Sequence, residues 1–273
     1  MSELYLLLLL FFFGCLGGFF AGLLGIGGGL VFIPVLSYFF GKLGIVDPDL
    51  TKAIISNSFF AIIFSGISAS YGQYKKGNFY PRQVLTTSVG AVVASLLMSW
   101  LISQGTWYNK ISFTFIFIAV LILLNVRLYL KRHQEAKFQL RDYGSAKFIQ
   151  AGVLAGAFAA LSGLGGGFIM VMLFVQWLEL DIKESTAIST GTIPFISIPL
   201  VIYYMIQQPQ SYPVNTFHVG YILVYVMLPL IVGVLIVSPI GVKVAARSKP
   251  HTLKMVFIFF SIILVAKMLY EIL

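Results

Sequence analysis

The sequence predicts an all-α polytopic membrane protein made of two homologous four-segment halves, each starting with a glycine-broken helix. Three observations lead there. The chain of 273 residues is 59% hydrophobic and 10% charged, with mean hydropathy +0.96, which leaves too little polar surface for a soluble fold of this length. Long apolar runs recur, each close to the roughly 20 residues that cross hydrocarbon as a helix. A glycine pattern occurs twice: Gly25, Gly27, Gly28 and Gly29 match Gly163, Gly165, Gly166 and Gly167 at a constant offset of 138, and upstream Gly14 and Gly18 match Gly152 and Gly156.

The spans follow from the uncharged apolar segments. The first half has Leu4–Phe40, broken at Gly25–Gly29, then Ala53–Ser70, Val84–Ser103 and Ile111–Leu130. The second has Phe148–Leu178, broken at Gly163–Gly167, then Ala187–Ile206, Val219–Val242 and Leu253–Tyr270. The expected organisation is a first transmembrane repeat at 1–130, a cytoplasmic connector at 131–147 and a second repeat at 148–273. Continuous rather than alternating apolar runs exclude a β-barrel. Met1–Phe13 is apolar like a signal-peptide core, but it carries Glu3, has no basic leader and runs straight into the glycine pattern, so it reads as mature sequence.

The net charge of +9 does not point to nucleic acid, because the basic residues lie in short loops between spans, where they set topology. The single cysteine, Cys15, excludes an intrachain disulfide and a cysteine-based metal cluster.

Four glycines in five residues cannot continue an unperturbed helix. Each broken segment either crosses once or dips in and returns. If both cross once, the basic residues divide ten against eight between the two faces, which is no bias. If the second is a hairpin, Lys183 and the Lys243–Lys254 cluster join the side of Lys75, Lys76, Arg82 and the connector, and the division becomes fourteen against four. The positive-inside rule favours the hairpin, and repeat symmetry extends it to the first segment. The halves are then inverted repeats.

Broken backbone inside a membrane survives only where protein or a water-filled cavity satisfies it, and paired broken segments point to a transporter's substrate site. If the chain resumes as half-helices after Gly29 and Gly167, their N–H groups and dipoles favour an anion near mid-membrane. The candidate substrate-binding residues are therefore Gly27, Gly28 and Gly29 with Gly165, Gly166 and Gly167. A second pairing adds Ser56, Asn57 and Ser58 in Ala53–Ser58, matched to Ser189, Thr190 and Thr192 in Ala187–Thr192. Hydroxyls and an amide donate to oxyanions without adding a competing charge. The Gly14, Gly18 and Gly22 spacing instead suits close helix packing.

No Asp, Glu or Arg lies in the middle of an unbroken span, so a carboxylate proton relay has no candidate. No His-Glu-x-x-His or Cys/His cluster is present, and no serine has a histidine partner inside the membrane. Neither catalytic residues, metal ligands nor a cofactor are expected, and the chain is not read as an enzyme. The expected partners are a small anion and the lipid bilayer, with no nucleic acid and the oligomeric state left open. An anion or small-solute channel and a polytopic scaffold or membrane enzyme stand as alternatives.

Several stretches resemble the TauE/SafE family of sulfite exporters, also called the 4-toluene sulfonate uptake permease family. They are Gly22-Leu23-Leu24-Gly25-Ile26-Gly27-Gly28-Gly29 followed by Pro34, Ser65-Gly66, Tyr74-Lys75-Lys76-Gly77-Asn78-Phe79, Gly220-Tyr221-Ile222 and Gly241-Val242-Lys243-Val244-Ala245. The resemblance covers nearly the whole chain. It implies a multi-pass protein of the cell (inner or plasma) membrane that transports sulfite, thiosulfate, sulfoacetate or other organosulfonates. Importers and exporters both occur in the family, so it implies no direction. The second copy departs from the first, with Met172 in place of Pro34 and His218-Val219 in place of Lys75-Lys76.

Overall fold

The computed structural model describes residues 3–46, 49–104, 118–119, 122, 125–130, 144–209, 212 and 217–270. Most of the predicted span 111–130 and of the connector 131–147 lies outside them. In chain order the elements are α1 (Glu3–Leu24), α2 (Gly29–Lys42), α3 (Asp49–Lys75), α4 (Pro81–Gln104), α5 (Ser145–Ser162), α6 (Gly167–Gln176) and α7 (Ile182–Ile206). A two-stranded antiparallel hairpin, β1 (His218–Val219) and β2 (Ile222–Leu223), leads into α8 (Val224–Arg247) and α9 (Pro250–Tyr270). Residues 125–130 are also helical. Among the described residues, six helices are long and apolar enough to cross a membrane: α1, α3, α4, α5, α7 and α8. The half-helices α2 and α6, with 14 and 10 residues, are shorter. The polytopic all-α architecture expected from the sequence is present.

Both glycine breaks are real interruptions. α1 ends at Leu24 and α2 starts at Gly29; α5 ends at Ser162 and α6 starts at Gly167. Gly25, Gly27 and Gly28 have φ of 71°, 78° and 82°, and Gly163, Gly165 and Gly166 have 69°, 78° and 70°. Only glycine adopts this left-handed region routinely. The chain also turns back at each break. A methyl at Gly28 would lie 2.8 Å from the Gly17 carbonyl oxygen, and one at Gly166 would lie 2.7 Å from that of Ala155.

The halves interlock by exchanging helices. α1 packs along α8, and α5 packs along α4. The glycines make the contact possible. A methyl at Gly14 or Gly22 would lie 2.1 Å from the carbonyl oxygen of Leu230 or Ser238, and one at Gly18 would lie 2.8 Å from Val234 Cα. In the other pair, methyls at Gly152 and Gly156 would each lie 2.1 Å from the carbonyl oxygens of Thr87 and Ala91. These upstream glycines serve backbone-to-backbone packing, the role their spacing suggested. The outward faces carry apolar stripes, Leu85, Val89, Val93 and Trp100 on α4 and Leu228, Val232 and Ile236 on α8, as a lipid-facing surface requires.

One predicted boundary moves. The span expected at 219–242 begins at Val224 and extends to Arg247, because residues 218–223 form the hairpin. Tyr221, Ile222 and Leu223 are buried, so an apolar run hides a turn. Gly220, at φ 54°, marks it.

Candidate functional site

The two breaks meet near the middle of α3 and α7. A methyl at Gly29 would lie 3.2 Å from Leu164 Cα, and one at Gly167 would lie 3.1 Å from Ile26 Cα and 2.7 Å from the Gly25 carbonyl oxygen. The two contacts are reciprocal, each break touching the other through equivalent positions. Two isoleucines close over them. Ile62 approaches Gly27, Gly29 and Gly165, and Ile193 approaches Gly27 and Gly167. Each isoleucine lies near the middle of its helix, α3 for Ile62 and α7 for Ile193.

The breaks leave backbone donors unpaired. Gly25 N–H still bonds to Ala21 O and Gly163 N–H to Ala159 O, both at 2.9 Å. Among the described hydrogen bonds, no backbone carbonyl accepts from Ile26 to Leu30, nor from Gly165 to Ile169. Val31 and Met170 are the first N–H groups to bond back, to Gly28 O and Gly166 O. All of Gly25–Gly29 and Gly163–Gly167 is buried. Two runs of consecutive N–H groups at helix N-termini are thus held in the interior, an arrangement that attracts negative charge.

Side chains from α3 and α7 fix the breaks. Ser189 Oγ donates to Gly25 O at 2.7 Å and lies 3.3 Å from Gly167 O, bridging the two breaks with one hydroxyl. Ser65 Oγ lies 2.7 Å from Gly27 O and 3.0 Å from Ile62 O. Ser65 was not predicted as a site residue; its signal was a hydroxyl one helical turn beyond Ile62.

The other predicted polar residues divide into three groups. Thr190 and Thr192 turn back into their own helix, to Ala187 O and Ile188 O, both at 2.9 Å. Ser56 and Asn57 hold the 218–223 hairpin. Asn57 Nδ2 donates to Tyr221 O at 2.7 Å and its Oδ1 accepts from Leu223 N–H at 2.9 Å, while Ser56 Oγ lies 3.3 Å from Tyr221 O. Tyr221 in turn donates its phenol to buried Asp49 at 2.6 Å. Burial is the main cause that raises the Tyr221 phenol above its usual pKa, with the Asp49 hydrogen bond second. Ser58 Oγ is buried and has no hydrogen-bond partner.

The pairing of α3 with α7 differs from the sequence alignment. Ile55 faces Gly163 and Thr186 faces Gly25, as Ile62 faces Gly29 and Ile193 faces Gly167. These contacts equate Ile55, Ser58 and Ile62 with Thr186, Ser189 and Ile193, an offset of 131 (55 to 186), whereas the sequence match of Ala53 with Ala187 implies 134. Three residues is close to one helical turn, so both registers place similar residues on one face and only the contacts separate them.

α3 and α7 run antiparallel. Near the start of α3, Asp49 and Lys52 meet Tyr221, with Lys52 Nζ 5.6 Å from the ring centroid. The end of α7 reaches the same hairpin, with Tyr204 O accepting from Tyr221 N–H. At the opposite end the loop after α3 meets the start of α7, through Asn78 Nδ2 and Lys183 O at 3.4 Å. Lys183 Nζ donates to Ala246 O at 2.9 Å. The loop at 76–80, Lys183 and the end of α8 therefore share one end of the molecule.

Comparison with known proteins bears on the family. The sulfite exporter TauE/SafE family profile matches residues 10–268, almost the whole chain. The chain belongs to the TauE/SafE family. A probable membrane transporter protein of Methanocaldococcus jannaschii is 27% identical over 251 residues, covering 92% of this chain and 91% of that one. A probable membrane transporter protein of Haemophilus influenzae is 27% identical over 271 residues, covering 96% and 97%. One of Bacillus subtilis is 22% identical over 275 residues, covering 94% and 95%. No solved structure matches the chain. This TauE/SafE chain is a multi-pass transporter of the cell membrane, which its six span-length helices suit.

Proposed function

We propose that the protein carries small sulfur-containing anions, such as sulfite, thiosulfate, sulfoacetate or other organosulfonates, and binds them between the two glycine breaks. The observation that carries this reading is the pair of unpaired N–H runs, Ile26–Leu30 and Gly165–Ile169, meeting at the middle of α3 and α7. Such donors stabilise an oxyanion without a buried cation. Gly27, Gly28, Gly29, Gly165, Gly166 and Gly167 supply the backbone donors. Ser58 lines the contact and Ser189 staples the two breaks together, while Thr190 and Thr192 turn back into α7 and Ser56 and Asn57 act through the hairpin they hold.

The halves work as inverted repeats. Equivalent helices α3 and α7 are antiparallel, so a two-fold relating them lies across the helices, in the plane of the membrane they cross. The end holding Lys75, Lys76, Arg82, Lys183 and the Lys243–Lys254 cluster faces the cytoplasm.

The test is flux of labelled sulfite and sulfoacetate in proteoliposomes, into and out of the vesicle, with and without a pH gradient. Saturable, protein-dependent flux is expected. Flux that never saturates would identify a channel, and no flux of any sulfur anion would remove the proposal.

A further inference from the structure

We infer that Ser58 is the side-chain donor to the bound anion, and that its counterpart Ser189 is a structural staple, so the symmetric breaks hold an asymmetric site. This rests on the proposed anion site between the breaks.

Ser58 shares one stripe of α3 with residues that touch the breaks. Ile55 lies against Gly163, Ile62 against Gly29 and Gly165, and Ser65 Oγ against Gly27 O. Positions three, four and seven apart lie on one helix face, so Ser58 points to the same place. Ser189 occupies the matching position between Thr186 and Ile193, and its hydroxyl is taken by Gly25 O and Gly167 O.

The Ser58 hydroxyl is 0% exposed and has no partner. Helical serines and threonines ordinarily bond back to the preceding turn. Ser56, Ser65, Thr190 and Thr192 all do, and Ser58 does not. A buried hydroxyl without a partner is rare in native proteins. The stripe that holds it lies against Gly163 and Gly165, where the N–H groups from Gly165 onward also lack backbone acceptors. One acceptor-rich group placed between them satisfies both, and an oxyanion is such a group. The hydroxyls of Ser70, Thr87 and Ser197 also lack a partner; Thr87 sits on α4 at the crossing with Gly152, and Ser70 and Ser197 lie beyond the residues of α3 and α7 that touch the breaks.

The experiment is thermal unfolding of the detergent-solubilised full chain against rising sulfite and, separately, sulfoacetate, because a ligand specific for the folded state raises the melting temperature. In Ser58→Ala the concentration needed for a given rise should increase about tenfold or more, as for loss of a hydrogen bond to a charged group. Its ligand-free melting temperature should not fall, since no protein bond is lost and an unpartnered buried hydroxyl is removed, and Ser58→Thr should restore the response. Ser189→Ala should lower the ligand-free melting temperature while keeping the response. A wild-type response retained in Ser58→Ala overturns the assignment to Ser58 alone. A wild-type protein that neither anion stabilises overturns the anion site, and this inference with it.

Discussion

Ser189 of the second half donates its hydroxyl to the Gly25 carbonyl of the first half at 2.7 Å. The bond joins α7, one turn before Ile193, to the break after α1. The same hydroxyl lies 3.3 Å from Gly167 O in the other break. The two interruptions are thereby held as one unit. Together with the reciprocal approaches of Gly29 to Leu164 and of Gly167 to Ile26, this bond makes the centre a shared element of both repeats.

The breaks are intolerant of any side chain, charged or not. Gly28→Ala should lower stability by about 1–3 kcal/mol from backbone strain alone, with more from the methyl 2.8 Å from Gly17 O. Gly41, in α2, has open space around a would-be methyl and no positive φ. Gly41→Ala should therefore be neutral, or stabilising by up to about 1 kcal/mol. Melting of the two variants in one detergent checks the pair. Equal melting temperatures would mean that the break geometry carries no constraint.

The hairpin is latched to α3, and the latch predicts a stability effect. Tyr221→Phe removes the 2.6 Å bond to Asp49. The expected loss is about 1.5–3 kcal/mol, the range for a hydrogen bond to a charged group. Asn57→Ala removes the bonds to Tyr221 O and Leu223 N–H and should lower the melting temperature as well. If either variant melts like the wild type, the hairpin is not held as described.

Much of this fold is legible in the sequence, for physical reasons that particular residues show. The spans follow from uncharged length, and the breaks follow because Gly-x-Gly-Gly-Gly needs a backbone that other residues avoid. Gly14, Gly18 and Gly22 announce close packing, although the sequence does not say that their partner is α8. Less legible is anything set by three-dimensional pairing. The register of α3 against α7 is lost because a three-residue shift is nearly one turn. The 218–223 hairpin is masked because Tyr221, Ile222 and Leu223 are buried beside α3 and look like membrane span. Asn57 and Ser58 are adjacent and alike in chemistry. Only their partners tell them apart, a hairpin backbone for one and none for the other.

Topology gives a further check. With Cys15 replaced by serine, cysteines introduced at Lys76 and Ser248 should react with a membrane-impermeant reagent from the same, cytoplasmic face. A cysteine at Phe217, beside the hairpin, should react from the other. Their placement follows from the contacts of Asn78 with Lys183 and of Lys183 with Ala246. Labelling of the Lys76 and Ser248 positions from opposite faces would contradict the re-entrant arrangement.

The central claim is that an oxyanion sits between the two glycine breaks, and anomalous diffraction tests it most directly. Selenite has the shape and charge of sulfite and a heavy scatterer at its centre. Crystals of the protein grown with selenite should show one strong selenium peak within about 4 Å of the N–H groups of Gly27–Gly29 or Gly165–Gly167, consistent with N–H···O distances near 2.9 Å. The Ser58 hydroxyl should contact the same group. A peak found only among the exposed basic residues near Lys183 and Lys249, with none at the breaks, would contradict the account.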